Sequence, residues 1–191
     1  MKKLKQQFLD SWHELKSIRT LVITSMLMAI AVVLGFYTLQ LSEYLKIGFS
    51  FIANELVGML FGPVVGGLMA GGADILKFLV KPTGPFFFGF TLNAILAGII
   101  YGMFLYKRPI SLKRIIMANA TVSVLVNMLL ATYYIAILYG TPFMVLFSVR
   151  AFKQLIMLPV EVMLYYVTAK ALQRTNILSE LRAEKANYKE R

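Results

Sequence analysis

The sequence predicts an all-α membrane protein with six transmembrane helices and both termini in the cytoplasm. Of its 191 residues, 59% are hydrophobic and the mean hydropathy is +0.71, which is too apolar for a soluble domain. The apolar residues form long runs instead of an alternating pattern. Basic residues concentrate in residues 1–19, 107–114 and 170–191. Clusters separated by even numbers of spans follow the positive-inside rule.

A single integral membrane domain fits this length. We expect residues 1–18 to be a cytoplasmic N-terminal segment, residues 19–172 the six-helix bundle, and residues 173–191 a cytoplasmic tail. The first apolar run has no small-residue cleavage site, so we interpret it as a retained span. The net charge of +11 follows from this topology and does not indicate nucleic acid. With no cysteine and one histidine (His13), disulfides are excluded, and a histidine metal site or triad is not expected.

The apolar runs and their breaks define the expected spans. The six helices are predicted at residues 19–39, 55–61, 64–80, 90–106, 114–138 and 143–172, with an external loop at 40–54. The turn signal Gly62-Pro63 is expected to end the second helix and separate it from the third. The second and third helices are shorter than about 20 residues, so they must be buried or tilted against partners. Pro159 is expected to kink the last helix.

Two cations, Arg150 and Lys153, lie within the apolar sixth span. Charges at that depth are costly, so they usually face a bundle interior or a water-filled pocket and mark a function. The residue spacing places three further side chains on the same helical face: Gln154, Met157 and Glu161. This face predicts one wall of a polar cavity. The alternative is an internal ion pair that holds two helices together.

Other spans carry polar residues toward the same outer half. Asp74 and Lys77 share a face of the third span, where they could contact a ligand or neutralise each other. Asn127 continues a polar ladder from Asn119 and Ser123 on the fifth span. These side chains, together with Arg150 and Lys153, suggest an outward-facing pocket.

An aromatic run at residues 86–90 precedes Asn93 in the fourth span. Phenyl rings such as Phe87 can stack on a flat ring, while an amide can hydrogen-bond the edge of a heteroaromatic ring. Asn93 could equally pack against loops. With the cations, this composition suits an anionic solute that carries a flat ring.

Motifs for catalysis or ATP hydrolysis are missing from the sequence. It has no Walker A motif, no Ser/His pair and no His-Glu-x-x-His motif. We therefore expect a binding protein that is not an enzyme and that takes energy from a partner. The alternatives from other classes are an intramembrane enzyme and a structural or assembly protein whose buried charges pair helices.

Several segments resemble the S components, the substrate-binding membrane subunits, of energy-coupling factor (ECF) vitamin transporters, and most of all the folate-specific group. The matching segments are IANELVGMLFGP at 52–63, the glycine-rich run through 72–74, GPFFFGFTLNA at 84–94, and Arg150-Ala151-Phe152-Lys153 with Pro159 and Glu161. The resemblance covers nearly the whole chain.

This resemblance implies a six-helix protein of the bacterial cell membrane that binds folate with high affinity in an extracellular pocket, closed by the loop after the first span. It also implies a transmembrane coupling protein and two cytoplasmic ATPases as partners; ATP would be used by the ATPases, and no cofactor is expected here. Small residues four apart on the first helix, here Ser25 and Ala29, would contact the coupling protein. The pterin would stack among residues 86–90 and Phe49. The alternative is an S component for another vitamin or small anionic heteroaromatic solute.

Overall fold

The computed structural model describes residues 2–40, 46–82 and 84–174, which form a helical bundle. The helices are α1 (Lys2–Glu14), α2 (Ile18–Phe36), α3 (Phe51–Phe61), α4 (Pro63–Val80), α5 (Phe88–Leu105), α6 (Leu112–Thr121), α7 (Ala131–Tyr139) and α8 (Phe143–Arg174). A π-helix, Val122–Leu130, joins α6 to α7. Strands β1 (Leu39–Gln40) and β2 (Lys46–Ile47) pair antiparallel after α2. The predicted tail from residue 175 onward lies outside the described residues.

Five helical stretches of the described chain are long and apolar enough to cross a membrane. They are Ile18–Phe36, Pro63–Val80, Phe88–Leu105, Leu112–Tyr139 and Phe143–Arg174. The eleven residues of α3 extend only about 16 Å at about 1.5 Å per residue, which is roughly half the thickness of a hydrocarbon core. The helical membrane class therefore agrees with the sequence prediction, and a sixth crossing stays a prediction.

The structure differs from the sequence prediction at three places. The second helix begins at Phe51, not at residue 55, so the expected external loop at 40–54 contains a strand pair and the first turn of α3. The N-terminal segment, expected to be merely polar, contains the helix α1. The fifth span is one helical stretch as expected, but its central nine residues are π-helical, with i→i+5 hydrogen bonding that apolar periodicity does not reveal.

The α3–α4 corner and the contact of α4 with α5 form the tightly packed part of the bundle. Gly62 adopts φ +91 at the corner, a conformation that L side chains rarely adopt, and Pro63 begins α4 with the ring geometry favoured there. A Cβ on Gly66 would meet the Gly58 Cα at 2.9 Å and the Gly98 carbonyl oxygen at 3.0 Å. Backbones approach this closely only where side chains are absent, as small residues permit in membrane helices.

Candidate ligand-binding site

A cavity of about 350 Å³ lies between the ends of α2, α4, α5, α7 and α8. Its lining includes six aromatic residues: Phe36, Phe78, Phe86, Phe87, Phe90 and Tyr139. Phe78 and Phe86 pack with ring centroids 5.0 Å apart. Phe87 packs against Phe90 at 5.7 Å, and a second-layer ring, Tyr134, supports Phe87 at 5.4 Å. These rings offer flat apolar surface at one side of the cavity.

A second cavity, of about 290 Å³, adjoins the first and is more polar. Its lining includes side chains from α3, the π-helix and α8: Asn54, Asn127, Gln154, Met157 and Glu161. Four residues line both cavities: Thr38, Ser50, Arg150 and Lys153. The two cations of α8 therefore lie where an aromatic compartment meets a compartment of amides and a carboxyl.

The face of α8 predicted from residue spacing does form a cavity wall. Its five residues (Arg150, Lys153, Gln154, Met157 and Glu161) all line the second cavity. Gln154 Nε2 donates to Ser123 Oγ at 2.8 Å and approaches Glu161 Oε2 at 3.3 Å. These two hydrogen bonds hold the Gln154 amide in place next to Lys153 on α8. Ligand contact by these residues stays a prediction.

The π-helix supplies an anchor for Arg150. Its guanidinium donates from Nε at 3.3 Å and from Nη2 at 3.0 Å to the backbone carbonyl of Asn127. Segments with i→i+5 bonding are frequent at functional sites. Here the segment brings a carbonyl to the guanidinium and the side chain of Asn127 to the second cavity.

Asp74 and Lys77 both line the aromatic cavity, but the described residues contain no ion pair within 4 Å between them. Asp74 Oδ2 accepts from Thr91 Oγ1 at 3.0 Å, and Lys77 Nζ donates to Ser50 Oγ at 3.4 Å. The two side chains therefore form no direct ion pair, and ligand contact by either of them stays a prediction. One turn further along the chain, Lys81 Nζ donates to the Phe36 carbonyl at 2.9 Å. Phe36 is the last residue of α2, and the C-terminal end of a helix favours a nearby cation.

Two predicted contact residues lie apart from the cavity linings. Asn93 is only 7% exposed, and neither side-chain amide atom has a hydrogen-bond partner among the described residues. Neither Asn93 nor Phe49 is among the residues that line the two cavities, although Ile47, Gly48, Ser50 and Phe51 line the second. Phe87 does line the aromatic cavity, as expected from its run.

Sequence reasoning missed several lining residues, among them Thr38, Ser50 and Asn54. They lie around a short strand pair and a helix start, where no periodic pattern guides a prediction. Phe78 could have been found, since it follows Asp74 by four residues and so shares its helical face.

Ser25 and Ala29, the expected docking residues, are exposed on α2, whereas Ala31 is fully buried. They are surrounded by large exposed apolar side chains: Leu21, Val22, Met26, Ile30 and Val33. The exposed face of α2 is therefore an apolar surface with a shallow depression at Ser25 and Ala29, where the side chains are small.

The chemistry of the linings favours an anion with an aromatic group. Among the described lining residues, four are basic (Lys77, Lys81, Arg150 and Lys153) and two are acidic (Asp74 and Glu161). Arginine can bind a carboxylate with two parallel hydrogen bonds, and lysine acts as a point charge. Among the described residues, no group of three or more His, Cys, Asp or Glu side chains could hold a metal ion.

Residues 19–169 match the family described as ECF transporter, substrate-specific component. The chain belongs to this family. It is a multi-pass membrane component of a transporter, and the expectation that it is not an enzyme is confirmed by that membership.

Several proteins similar to this chain are named folate transporter FolT. The folate transporter FolT of Clostridium novyi is 31% identical over 167 residues, covering 87% of this chain and 97% of that protein. FolT of Streptococcus mutans is 27% identical over 176 residues, covering 88% and 92%. A crystal structure described as FolT bound with folic acid superposes with a TM-score of 0.76 at 34% identity, covering 81% of this chain and 95% of that one. The expected resemblance to the folate-specific group is confirmed.

Proposed function

We propose that this substrate-specific component binds folate with high affinity and delivers it for uptake. The observation that carries the proposal is the position of Arg150 and Lys153 between an aromatic and a polar cavity. Folate combines a flat pterin, a benzoyl ring and a glutamate with two carboxylates, so it needs aromatic surface and cations together. The similarity to a FolT structure described with folic acid supports the same ligand.

Each part of folate has a complementary group in the two linings. The pterin would stack on the rings around Phe87, and Arg150 and Lys153 would pair with carboxylates, while Lys77 adds a third cation beside Ser50. The side-chain amides that line a cavity are those of Asn54, Asn127 and Gln154, so these are better placed than Asn93 to hydrogen-bond the polar edge of the ligand.

Binding alone does not move a solute uphill, and the sequence has no Walker A motif. We propose that the chain docks through α2 onto a transmembrane coupling protein energised by two cytoplasmic ATPases. The exposed Ser25 and Ala29 support this, because small residues let a partner helix approach closely.

The ligand is tested by mass spectrometry of small molecules released from the purified protein, followed by calorimetric titration. We expect folate to be released and to bind tightly, with pterin alone and p-aminobenzoyl-glutamate alone binding much more weakly. Release of a different vitamin, with no binding of folate, would favour the alternative of an S component for another anionic heteroaromatic solute.

We also propose six crossings in the bacterial cell membrane, with both termini cytoplasmic and α3 as the short second span. Because the chain has no cysteine, single cysteines can be introduced without background. Cysteines replacing Lys113 and Lys170 should be labelled by a membrane-impermeant maleimide only after the cells are opened. Cysteines replacing Gly84 and Gly140 should be labelled in intact cells. The opposite labelling pattern would show that both termini lie outside the cell, which would contradict the proposed orientation.

A further inference from the structure

The N-terminal helix α1 is held against one end of the bundle by a defined set of polar contacts. Ser11, which is fully buried, donates from Oγ to the Phe61 carbonyl at 2.7 Å and accepts from the Val64 and Val65 amides at 3.0 and 3.3 Å. Ser11 thus satisfies backbone groups that the α3–α4 corner leaves unpaired, as helix ends require. The position of α1 along the corner is fixed by this side chain.

Contacts with the end of α5 and the start of α2 fix the rotation of α1. Glu14 accepts from the Tyr106 hydroxyl at 3.0 Å and from the Thr20 hydroxyl at 3.2 Å. Asp10 forms an ion pair with Lys107. Because Asp10, Ser11 and Glu14 lie on one side of the helix, that side faces the bundle and the opposite side faces away from it.

The side of α1 turned away from the bundle is largely apolar, with one lysine, Lys5, within it. Leu4, Phe8, Leu9 and Trp12 occupy an arc of roughly 140° at about 100° per residue. Trp12 is 57% exposed and Leu9 56% exposed, so the protein leaves this arc largely uncovered. Three residues separate α1 from α2, whose first residue Ile18 is itself 79% exposed. The uncovered arc therefore lies next to the beginning of the exposed apolar surface of α2.

We propose that α1 is an interfacial helix whose apolar arc (Leu4, Phe8, Leu9 and Trp12) inserts among the lipid headgroups at the α3–α4 end of the bundle, with a preference for anionic lipid. Helices with one apolar face and flanking lysines lie in this plane, and tryptophan favours the membrane interface. Lys5 lies within this arc, between Trp12 and Leu9 around the helix, and Lys16 follows α1 in the chain. Both are exposed, and their long side chains can extend to negative headgroups. The contacts of Ser11 then couple the position of α1 on the lipid surface to the α3–α4 corner, and those of Glu14 couple it to the end of α5 and the start of α2.

Trp12 is the only tryptophan in the chain, so it reports on this surface without any label. The full-length protein is reconstituted in phosphatidylcholine vesicles with and without phosphatidylglycerol, using lipids brominated near the headgroup or deep in the chains. We expect blue-shifted Trp12 emission, stronger quenching by the shallow bromines than by the deep ones, and stronger quenching when phosphatidylglycerol is present. In the Trp12→Phe background, Leu155→Trp, at a 76% exposed site of α8, should be quenched by the deep bromines.

Charge reversal provides the second measurement. Lys5→Glu with Lys16→Glu should remove the effect of phosphatidylglycerol on Trp12 quenching, while folate-induced thermal stabilisation persists. Water-like Trp12 emission, quenched by acrylamide and not by brominated lipid, would overturn the proposal. So would lipid quenching that vanishes when the coupling protein binds, since the arc would then be a protein-docking surface. Loss of folate binding by the wild-type protein would contradict the proposed function and leave the lipid measurement unaffected.

Discussion

Helices α2 and α4 have nearly the same length, 19 and 18 residues, and both place small residues along one face, yet the fold uses those faces in opposite ways. In α4, Gly66, Gly67 and Gly71 are buried against neighbouring helices. In α2, Ser25 and Ala29 are exposed. A stripe of small residues therefore permits close helix approach in both, but the partner lies inside the protein for α4. For α2, this face is exposed, and it is where we propose that the coupling protein docks.

The largest effect is expected from adding a methyl group inside the α4 contact. Gly66→Ala places a Cβ against the backbone of Gly58 and Gly98, which cannot rotate away as a side chain can. We expect a loss of about 1–3 kcal/mol or more in stability, measured as a lower melting temperature and reduced yield of folded protein.

Gly72→Ala is the matched control in the same helix, because its Cβ meets only the terminal methyl and sulfur of Met28. Alanine also favours helix over glycine, so this variant should melt at the wild-type temperature or slightly above it. Equal destabilisation by both substitutions would show that backbone contact does not decide the packing of α4.

The next effect is expected on transport. Ala29→Trp fills the shallow centre of the exposed α2 surface, so uptake of radiolabelled folate by cells that also express the coupling module should be lost. Folate binding should stay within about twofold of wild type, which is less than 1 kcal/mol, because the cavities lie elsewhere. Ser25→Trp should behave similarly.

Ile30→Trp adds bulk at the edge of the same surface, at a side chain that is already large and 49% exposed, and should retain uptake. If Ala29→Trp loses folate binding while it still assembles with the coupling protein, α2 is not the docking helix.

A smaller effect is expected where α2 does pack against α4. A Cβ on Gly35 would meet the Lys77 Cδ at 2.9 Å, so Gly35→Ala should displace the lysine stem that lines the aromatic cavity. We expect a roughly two- to tenfold loss of folate affinity, or about 0.4–1.4 kcal/mol. If Gly35→Ala weakens folate binding by displacing Lys77, it should cause no further loss of affinity in the Lys77→Ala background. A double-mutant cycle measured by calorimetry tests this. An additive loss would mean that Gly35 acts by another route.

Much of the bundle could be predicted because hydrophobic runs, Gly62-Pro63 and the basic clusters are local signals. The wall formed by Arg150, Lys153 and Glu161 was also predictable, since helical spacing fixes which side chains share a face. A sequence alone, however, does not show which of two small-residue faces will be covered. That depends on contacts between distant segments.

The parts that could not be predicted depend on such contacts. Thr38 and Ser50 enter the site through an irregular connection. Asn127 was expected at the pocket and does line the second cavity, but apolar spacing does not distinguish the π-helix that carries it from an α-helix. Asn93 was expected at the ligand because it follows an aromatic run, but it is buried and is not among the residues that line the two cavities, so its contact with a ligand stays a prediction. Adjacency in sequence did not translate into adjacency at the cavity.

The central claim is that Arg150 and Lys153 bind the carboxylates of folate. Its most direct test is calorimetric affinity for folate together with the melting temperature of the ligand-free protein, for Arg150→Ala and Lys153→Ala. Each variant should lose about 2–5 kcal/mol of binding, or tenfold to thousands-fold in affinity. The ligand-free melting temperature should change less than the affinity, because removing one of two like charges relieves repulsion. This relief offsets part of the about 1.5–3 kcal/mol that a charge-assisted hydrogen bond from Arg150 to the Asn127 carbonyl contributes. Unchanged affinity with a sharply lowered melting temperature would contradict the account, since the cations would then be structural.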